Sequence, residues 1–335
     1  MAARLRRQPA AMGTTPLIII VGSARSGTTL LGKLLDSHPD VVYRHEPDSV
    51  DINTAIPFLP RKSDTNDYVD LARGYLHDLK SARYAKAVGH RPFFEKNFQS
   101  RPARYGLVAS SMALKAIERC VGRAASRLRI PRALDAPSGG DAHFVIKSVS
   151  SLCRAYLFSL ADPGARIVHM VRHPCAVVAS RLRGVSKGLL KPAVFLDALL
   201  GMEEAAWYPL TREDLVRASY EEQLAYQWMI QNDKVLAEMN GSTRYKVVIY
   251  ENLCQQVRSG TRDVFAFADL EWNAQTERFI RRLETSHSHA ARYFSVIRSP
   301  LSATNAWRHE LREEQINRIR AICAYARIQE AGLRL

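Results

Sequence analysis

Short β-branched runs alternate along this chain with longer segments whose apolar positions recur every three or four residues. The runs fall at 17–21, 41–44, 143–147, 166–171 and 246–250, and this pattern predicts strands. Helical periodicity follows most of them, over 28–37, over 174–183 with Pro174 suited to a first turn, and from 220 to about 238. In the last of these Leu224, Trp228 and Val235 lie along one side, as a packed helix face requires. Strands separated by helices need crossover connections, so the sheet is expected to be mainly parallel with helices on both faces, an α/β fold of three layers.

Between residues 48 and 141 the alternation breaks down. Prolines and scattered arginines surround helical patches at 68–79 and 107–130, and the stretch 136–141 (APSGGD) is a loop by composition. This reads as a mainly helical insertion between two sheet strands, long enough to shape one side of a binding site. The expected organisation is a lead at 1–14 without order, in which Met12 is a second possible start, and a single domain over 15–330. No internal repeat is present.

Charge changes the picture more than composition does. The 335 residues carry 48 Lys and Arg against 33 Asp and Glu, a formal net charge of +15, and such a field attracts polyanions. Because the arginines are spread along the chain, with no RNP-type aromatic motif, zinc-finger spacing or long basic tail, an anionic small ligand is expected and no nucleic acid. The five cysteines, an odd number at wide spacings, point to reduced thiols rather than a disulfide framework or a zinc site. The start of the chain is basic, but the apolar run 17–21 is too short for a signal peptide, and no window reaches the ~20 apolar residues of a membrane span. A cytoplasmic location without a transmembrane segment is expected.

The chemistry concentrates where the first strand runs into Gly22-x-x-x-x-Gly27-Thr28-Thr29 and then into a helix. Strand, glycine-bounded loop and helix together form a phosphate cradle, in which loop amides and the helix start face an anion. The loop departs from the triphosphatase pattern G-x-x-x-x-G-K-[ST], for Thr28 occupies the lysine position and Arg25 lies inside the loop. A triphosphatase uses its lysine and Mg²⁺ against the concentrated charge of the β- and γ-phosphates. A sulfuryl group carries less charge than a phosphoryl group, so hydroxyls, amides and one arginine suffice without a metal. A second segment, RIVHMVRHPCAVVASRLR at 166–183, ends a strand at Arg172 and places Ser180 about two turns along the next helix. That pair can grip one phosphate from two sides.

These two segments resemble the 5′-phosphosulfate loop and the 3′-phosphate motif of the sulfotransferases that use 3′-phosphoadenosine 5′-phosphosulfate (PAPS), most of all the carbohydrate and tyrosylprotein branch with its R-S-G-T-T and V-R-[DH]-P…S-R. Two further segments are similar to family elements: Val248-Ile249-Tyr250-Glu251-Asn252-Leu253, with Asn252 in place of the usual aspartate, and the stretch from Asn305 and Trp307 to Leu311 and Gln315. The resemblance recurs from about residue 15 to about residue 325, but the insertion at 48–141 matches nothing in it. It implies a P-loop-like fold, with Arg25, Ser26, Gly27, Thr28 and Thr29 on the 5′-phosphosulfate and Arg172 and Ser180 on the 3′-phosphate. It also implies a loop at 295–307, including Arg298, that closes over the nucleotide.

An acceptor hydroxyl needs a base within hydrogen-bond reach. Family members of this branch carry a glutamate after the second strand, often before proline, and Glu46-Pro47 resembles it; His45 is the alternative base. Lys147, at the end of 143–147, matches a lysine that donates to the sulfuryl group or bridging oxygen, its other reading being a side chain that snorkels from a sheet edge. If the strands are parallel, Gly22, Glu46, Lys147, Arg172 and Glu251 all sit at or beyond carboxyl ends, where open α/β sheets bind ligands. Glu251 reads as a structural anchor, and His287 and His289 as loop residues. The expected catalytic set is therefore Glu46, Lys147 and Arg25, with PAPS as co-substrate, adenosine 3′,5′-bisphosphate (PAP) as product, no metal, and a hydroxyl-bearing acceptor that is a saccharide or glycolipid. The competing readings are a P-loop kinase of a small molecule and a binding protein that kept the anion cradle.

Overall fold

The computed structural model describes residues 16–135, 142–192, 194, 196–285 and 304–333. Five strands, β1 (Ile18–Val21), β2 (Val41–His45), β3 (His143–Ser148), β4 (Arg166–Val171) and β5 (Tyr245–Ile249), form one sheet in the order β2-β3-β1-β4-β5. Every ladder is parallel. Each predicted strand is present, with ends shifted by one residue at most.

The central strand shows why the sheet has three layers. All four residues of β1 are buried, and successive side chains go to opposite faces. Ile18 and Ile20 enter one core with α1 (Thr28–Asp36), while Ile19 and Val21 enter the other. The second core also holds α2 (Val69–Ser81), which precedes two further insertion helices, α3 (Ala85–Val88) and α4 (Arg101–Val121). To it α5 (Ala155–Ala161), α6 (Pro174–Ser186) and the long α7 (Tyr220–Met239) add their apolar faces. The layers predicted from period alone are thus recovered, because strands buried on both faces can read as continuous apolar runs only between two helical layers.

The insertion between β2 and β3 is helical, but its elements differ from expectation. The helix expected at 107–130 spans Arg101–Val121 instead. Ser100 caps its start by accepting from the Ala103 N–H at 3.3 Å, and Gly122, at φ 82°, ends it. The segment is tied back to the sheet by Arg44 on β2, which donates to the Lys80 carbonyl at 3.0 Å and pairs with Asp135 at 2.7 Å. Lys33 on α1 does the same from the other side, reaching the carbonyls of His90 (2.5 Å) and Pro92 (3.1 Å) while paired with Asp36 (2.7 Å). All five cysteines are free thiols, and four are buried. Among the described residues no helix is long and apolar enough to cross a membrane. The lead at 1–14, the loop at 136–141, His287, His289 and Arg298 lie outside the described residues.

Candidate active site

Parallel pairing places the ends of β1 to β5 on one edge, and the residues singled out in the sequence converge there. Ile20 is opposite Lys147, and Lys147 is in turn opposite His45. The loop after β1 turns tightly: Ser26 N–H donates to the Ser23 carbonyl at 3.0 Å, Arg25 has φ 79° and Gly27 φ 94°. Gly22 leaves space only for backbone, since a Cβ there would lie 2.5 Å from the Met170 carbonyl. A Cβ on Gly27 would collide with the ring of Tyr250. No side chain caps the start of α1 and no acidic residue occupies its first turn, so its amides are directed at the loop. Ser26 Oγ is buried without a hydrogen-bond partner among the described residues. A hydroxyl left so in a cradle of backbone donors suits an anionic ligand group.

The two predicted anion motifs meet. Arg25 Nε donates to Ser180 Oγ at 3.0 Å, and Arg172 donates to the Arg25 carbonyl at 3.0 Å. The Arg172 guanidinium lies 4.5 Å from the centroid of the Tyr250 ring. Tyr250 opens α8 (Tyr250–Gln255) after β5, so the segment read as supporting similarity supplies the ring that packs on both Gly27 and Arg172. The neighbouring Glu251 accepts from the His173 N–H at 3.1 Å, an anchor for the turn into α6, as expected. His173 caps that helix and stacks on Trp307, with ring centroids 4.6 Å apart. The late tryptophan segment is thereby brought against the phosphate motif.

Across the edge, Glu46 and Lys147 form an ion pair. Lys147 is only 2% exposed, and β3 lies between β2 and β1, so the reading of a lysine snorkelling from a sheet edge is corrected: an interior strand has no edge to leave by. Lys86 of α3 makes the second contact to Glu46, at 3.1 Å. Burial raises the Glu46 carboxyl, but the charges and hydrogen bonds of Lys147 and Lys86 outweigh it and hold the group at about 2. Burial lowers Lys147 against the pull of Glu46. Glu46 has φ 45°, and among the described residues the non-glycine residues with positive φ are Arg25, Glu46 and Asp269. Two of these three lie in the site, where such strain is commonly stored.

His45 is placed otherwise. Its Nδ1 is 3.0 Å from the Tyr43 hydroxyl, its ring stacks on His90 at 4.0 Å, and burial together with the Lys147 charge holds it well below the usual imidazole range. Asp48 is also buried, accepting from Ser148 and from Ser151 Oγ (2.8 Å). It braces the β3 end from below.

Sequence reasoning missed Lys86, which lies 40 positions from Glu46 in a segment with no motif. It also missed a chain behind the loop, in which Asn232 donates to Ser23 Oγ at 3.2 Å and faces His169 at 2.9 Å, while His169 faces the Tyr245 hydroxyl at 2.8 Å. Only the helical period of α7 hinted that Asn232 points inward.

A strand, glycine-bounded loop and helix at the carboxyl edge of a parallel sheet, with Arg25, Ser180 and Arg172 joined beside it, is an α/β arrangement of the P-loop-like class. The sulfotransferase family model matches residues 16–274, and the chain belongs to that family and is a sulfotransferase. Mouse carbohydrate sulfotransferase 5 is 26% identical, with 97% of this chain and 82% of the relative covered. Human carbohydrate sulfotransferase 6 is 24% identical, with 95% and 80% covered. Among solved structures, the sulfotransferase STF9 from Mycobacterium avium aligns with a TM-score of 0.46 at 15% identity, covering 97% of this chain and 79% of that one.

Proposed function

We propose that this sulfotransferase takes its sulfuryl group from PAPS and passes it to a hydroxyl of a carbohydrate-bearing acceptor, releasing PAP. The observation that carries the donor reading is the junction of Arg25 with Ser180 and of Arg172 with the Arg25 carbonyl. One anion loop would serve any nucleotide; a second grip a few ångströms away suits a nucleotide with a separate 3′-phosphate. Ser26 to Thr29 would then hold the 5′-phosphosulfate, and Arg172 with Ser180 the 3′-phosphate. The carbohydrate acceptor is supported by the relatives' own named class.

In the reaction, the acceptor oxygen forms a bond to sulfur as the bond from sulfur to the bridging oxygen of the donor breaks, and PAP leaves with the electron pair. Glu46 receives the hydroxyl proton. A carboxyl held at about 2 is a poor base, because general bases work best near the operating pH. Both demands are met if Lys147 turns from Glu46 to the sulfuryl and leaving oxygens once the donor is bound. The lysine then opposes the developing charge, and the carboxylate it abandons gains basicity. Arg25 assists on the sulfuryl side.

A thermal-shift series with PAP, ADP and ATP, with and without Mg²⁺, tests the donor, since a ligand of the folded state raises its stability. Stabilisation by PAP without Mg²⁺, weak with ADP and lost in Arg172→Ala, is expected. Stabilisation by Mg-ATP with no preference for PAP would replace this reading with a kinase.

A further inference from the structure

Two lysines hold the carboxylate of Glu46, one on each oxygen: Lys147 on Oε1, and Lys86 on Oε2 at 3.1 Å. Lys147 is buried on an interior strand, whereas the Lys86 side chain, on α3 of the insertion, is 44% exposed. One cation suffices to neutralise one carboxylate, so the second calls for a reason.

Holding the fold is not that reason. The Glu46 turn is fixed by its own backbone: its N–H donates to the Lys147 carbonyl at 2.7 Å, and its carbonyl accepts from the Ser49 N–H at 3.1 Å and from Ser49 Oγ at 2.6 Å. The insertion is already tied to β2 by Arg44 and to α1 by Lys33. Helix α3 is seated without Lys86, since Ala85 and Ala87 are buried and the Tyr84 hydroxyl just before them donates to Asp51 and accepts from Arg129 at 3.1 Å. A half-exposed ion pair adds little to such a frame.

The two lysines stand on different sides of the base. Ile20, on the strand that feeds the anion loop, is opposite Lys147, and Lys147 is opposite His45, so Lys147 lies between the cradle and Glu46. Lys86 approaches from the insertion, where α3 packs against β2. The other titratable groups around the carboxyl offer it no positive charge. Burial raises Asp48, and it holds the Tyr43 hydroxyl well above its ordinary value, so that the phenol stays protonated. Burial and the neighbouring lysine charges hold His45 and His90 below the usual imidazole range. With Lys147 turned to the donor oxygens, Lys86 is the cation left on Glu46 among the described residues.

We infer that Lys86 is a positioning residue for the reaction: it keeps hold of Oε2 after Lys147 leaves, so that the carboxylate stays ionised and in place with Oε1 free to take the acceptor's proton. The inference rests on the reading of Glu46 as the base and names the residue that keeps that base ready.

Glutamate labelled with ¹³C at the side-chain carboxyl allows Glu46 to be titrated by NMR in the free protein and with PAP bound, its signal assigned by its loss in Glu46→Gln. An opposite charge within a few ångströms lowers a carboxyl by about one to three pH units, so Lys86→Gln should raise the Glu46 midpoint by about one unit or more in the PAP complex. Lys86→Arg, which keeps the charge, should leave the midpoint near that of the natural protein. Because Lys86 is half exposed, neither replacement threatens folding, and the PAP thermal shift should be the same in both. An unmoved midpoint in PAP-bound Lys86→Gln would overturn the inference. A rise of equal size in Lys86→Arg would do the same, since charge would then not be the cause. Loss of the PAP shift in Lys86→Gln would place Lys86 on the nucleotide and also overturn it. Failure of the base reading shows elsewhere: a Glu46→Gln protein that keeps its turnover, while the natural midpoint still responds to Lys86, would leave the two as partners with no part in proton transfer.

Discussion

At the scale of the residue, the controlling fact is that Glu46 and Lys147 are each other's partner in the structure. Glu46→Gln removes the proposed acceptor of the hydroxyl proton, and a fall in kcat of about 10²–10⁴ is expected, the usual share of a general base; the PAP thermal shift should persist. The same substitution has a stability signature. The folded carboxyl sits at about 2 against an ordinary value of 4.5, so the pair stabilises the fold above the ordinary carboxylate range and loses that contribution as pH falls towards 2. The shift corresponds to about 3 kcal/mol. Urea unfolding between pH 5 and pH 2 should therefore show a steeper loss for the natural protein than for Glu46→Gln; parallel curves would mean that the pair does not persist in solution. His45 provides the contrast. Held neutral against Tyr43 and His90, it is a packing histidine in this arrangement, and His45→Asn should lower stability more than it lowers kcat at saturating substrate.

At the scale of the element, the site is made by strand ends and the turns that leave them. Gly27 is the most constrained of these positions, with φ 94° and the Tyr250 ring where its Cβ would be. Gly27→Ala combines a left-handed alanine, about 1–2 kcal/mol, with a collision between two elements. Tyr250→Ala should relieve the collision and leave the backbone term, so a double-mutant cycle on urea midpoints should give a coupling of about 1 kcal/mol or more in favour of the double variant. Additive effects would mean that α8 and the loop are not packed as seen. Much of this edge was legible beforehand: the strands, the glycine-bounded loop and the arginine-serine helix start were each visible in a contiguous stretch. The helix from Arg101 to Val121 was misjudged at both ends because Ser100 and Gly122 lie in a segment whose arginines and alanines blur its period. Lys86 was invisible, since nothing local distinguishes a lysine that meets a carboxylate from one that faces water.

At the scale of the molecule, the net charge of +15 predicts a property that no single contact does. A multiply charged nucleotide should associate quickly at low salt and more slowly as the Debye length shrinks from about 30 Å at 0.01 M to about 3 Å at 1 M. Stopped-flow association of PAP should slow by roughly tenfold over that range, and a rate indifferent to salt would mean that the field plays no part in capture. By itself the sequence determined the layer architecture, the glycine-bounded loop and the placing of Gly22, Glu46, Lys147, Arg172 and Glu251 at one edge, because each follows from period or from a motif held within a few residues of chain. Only the tertiary structure decided which of them touch. It paired Glu46 with Lys147 and Lys86, joined Arg25 to Ser180, and laid Tyr250 over Gly27. Those contacts join residues up to 223 positions apart, as Gly27 and Tyr250 are, and chain packing rather than local propensity fixes such distances.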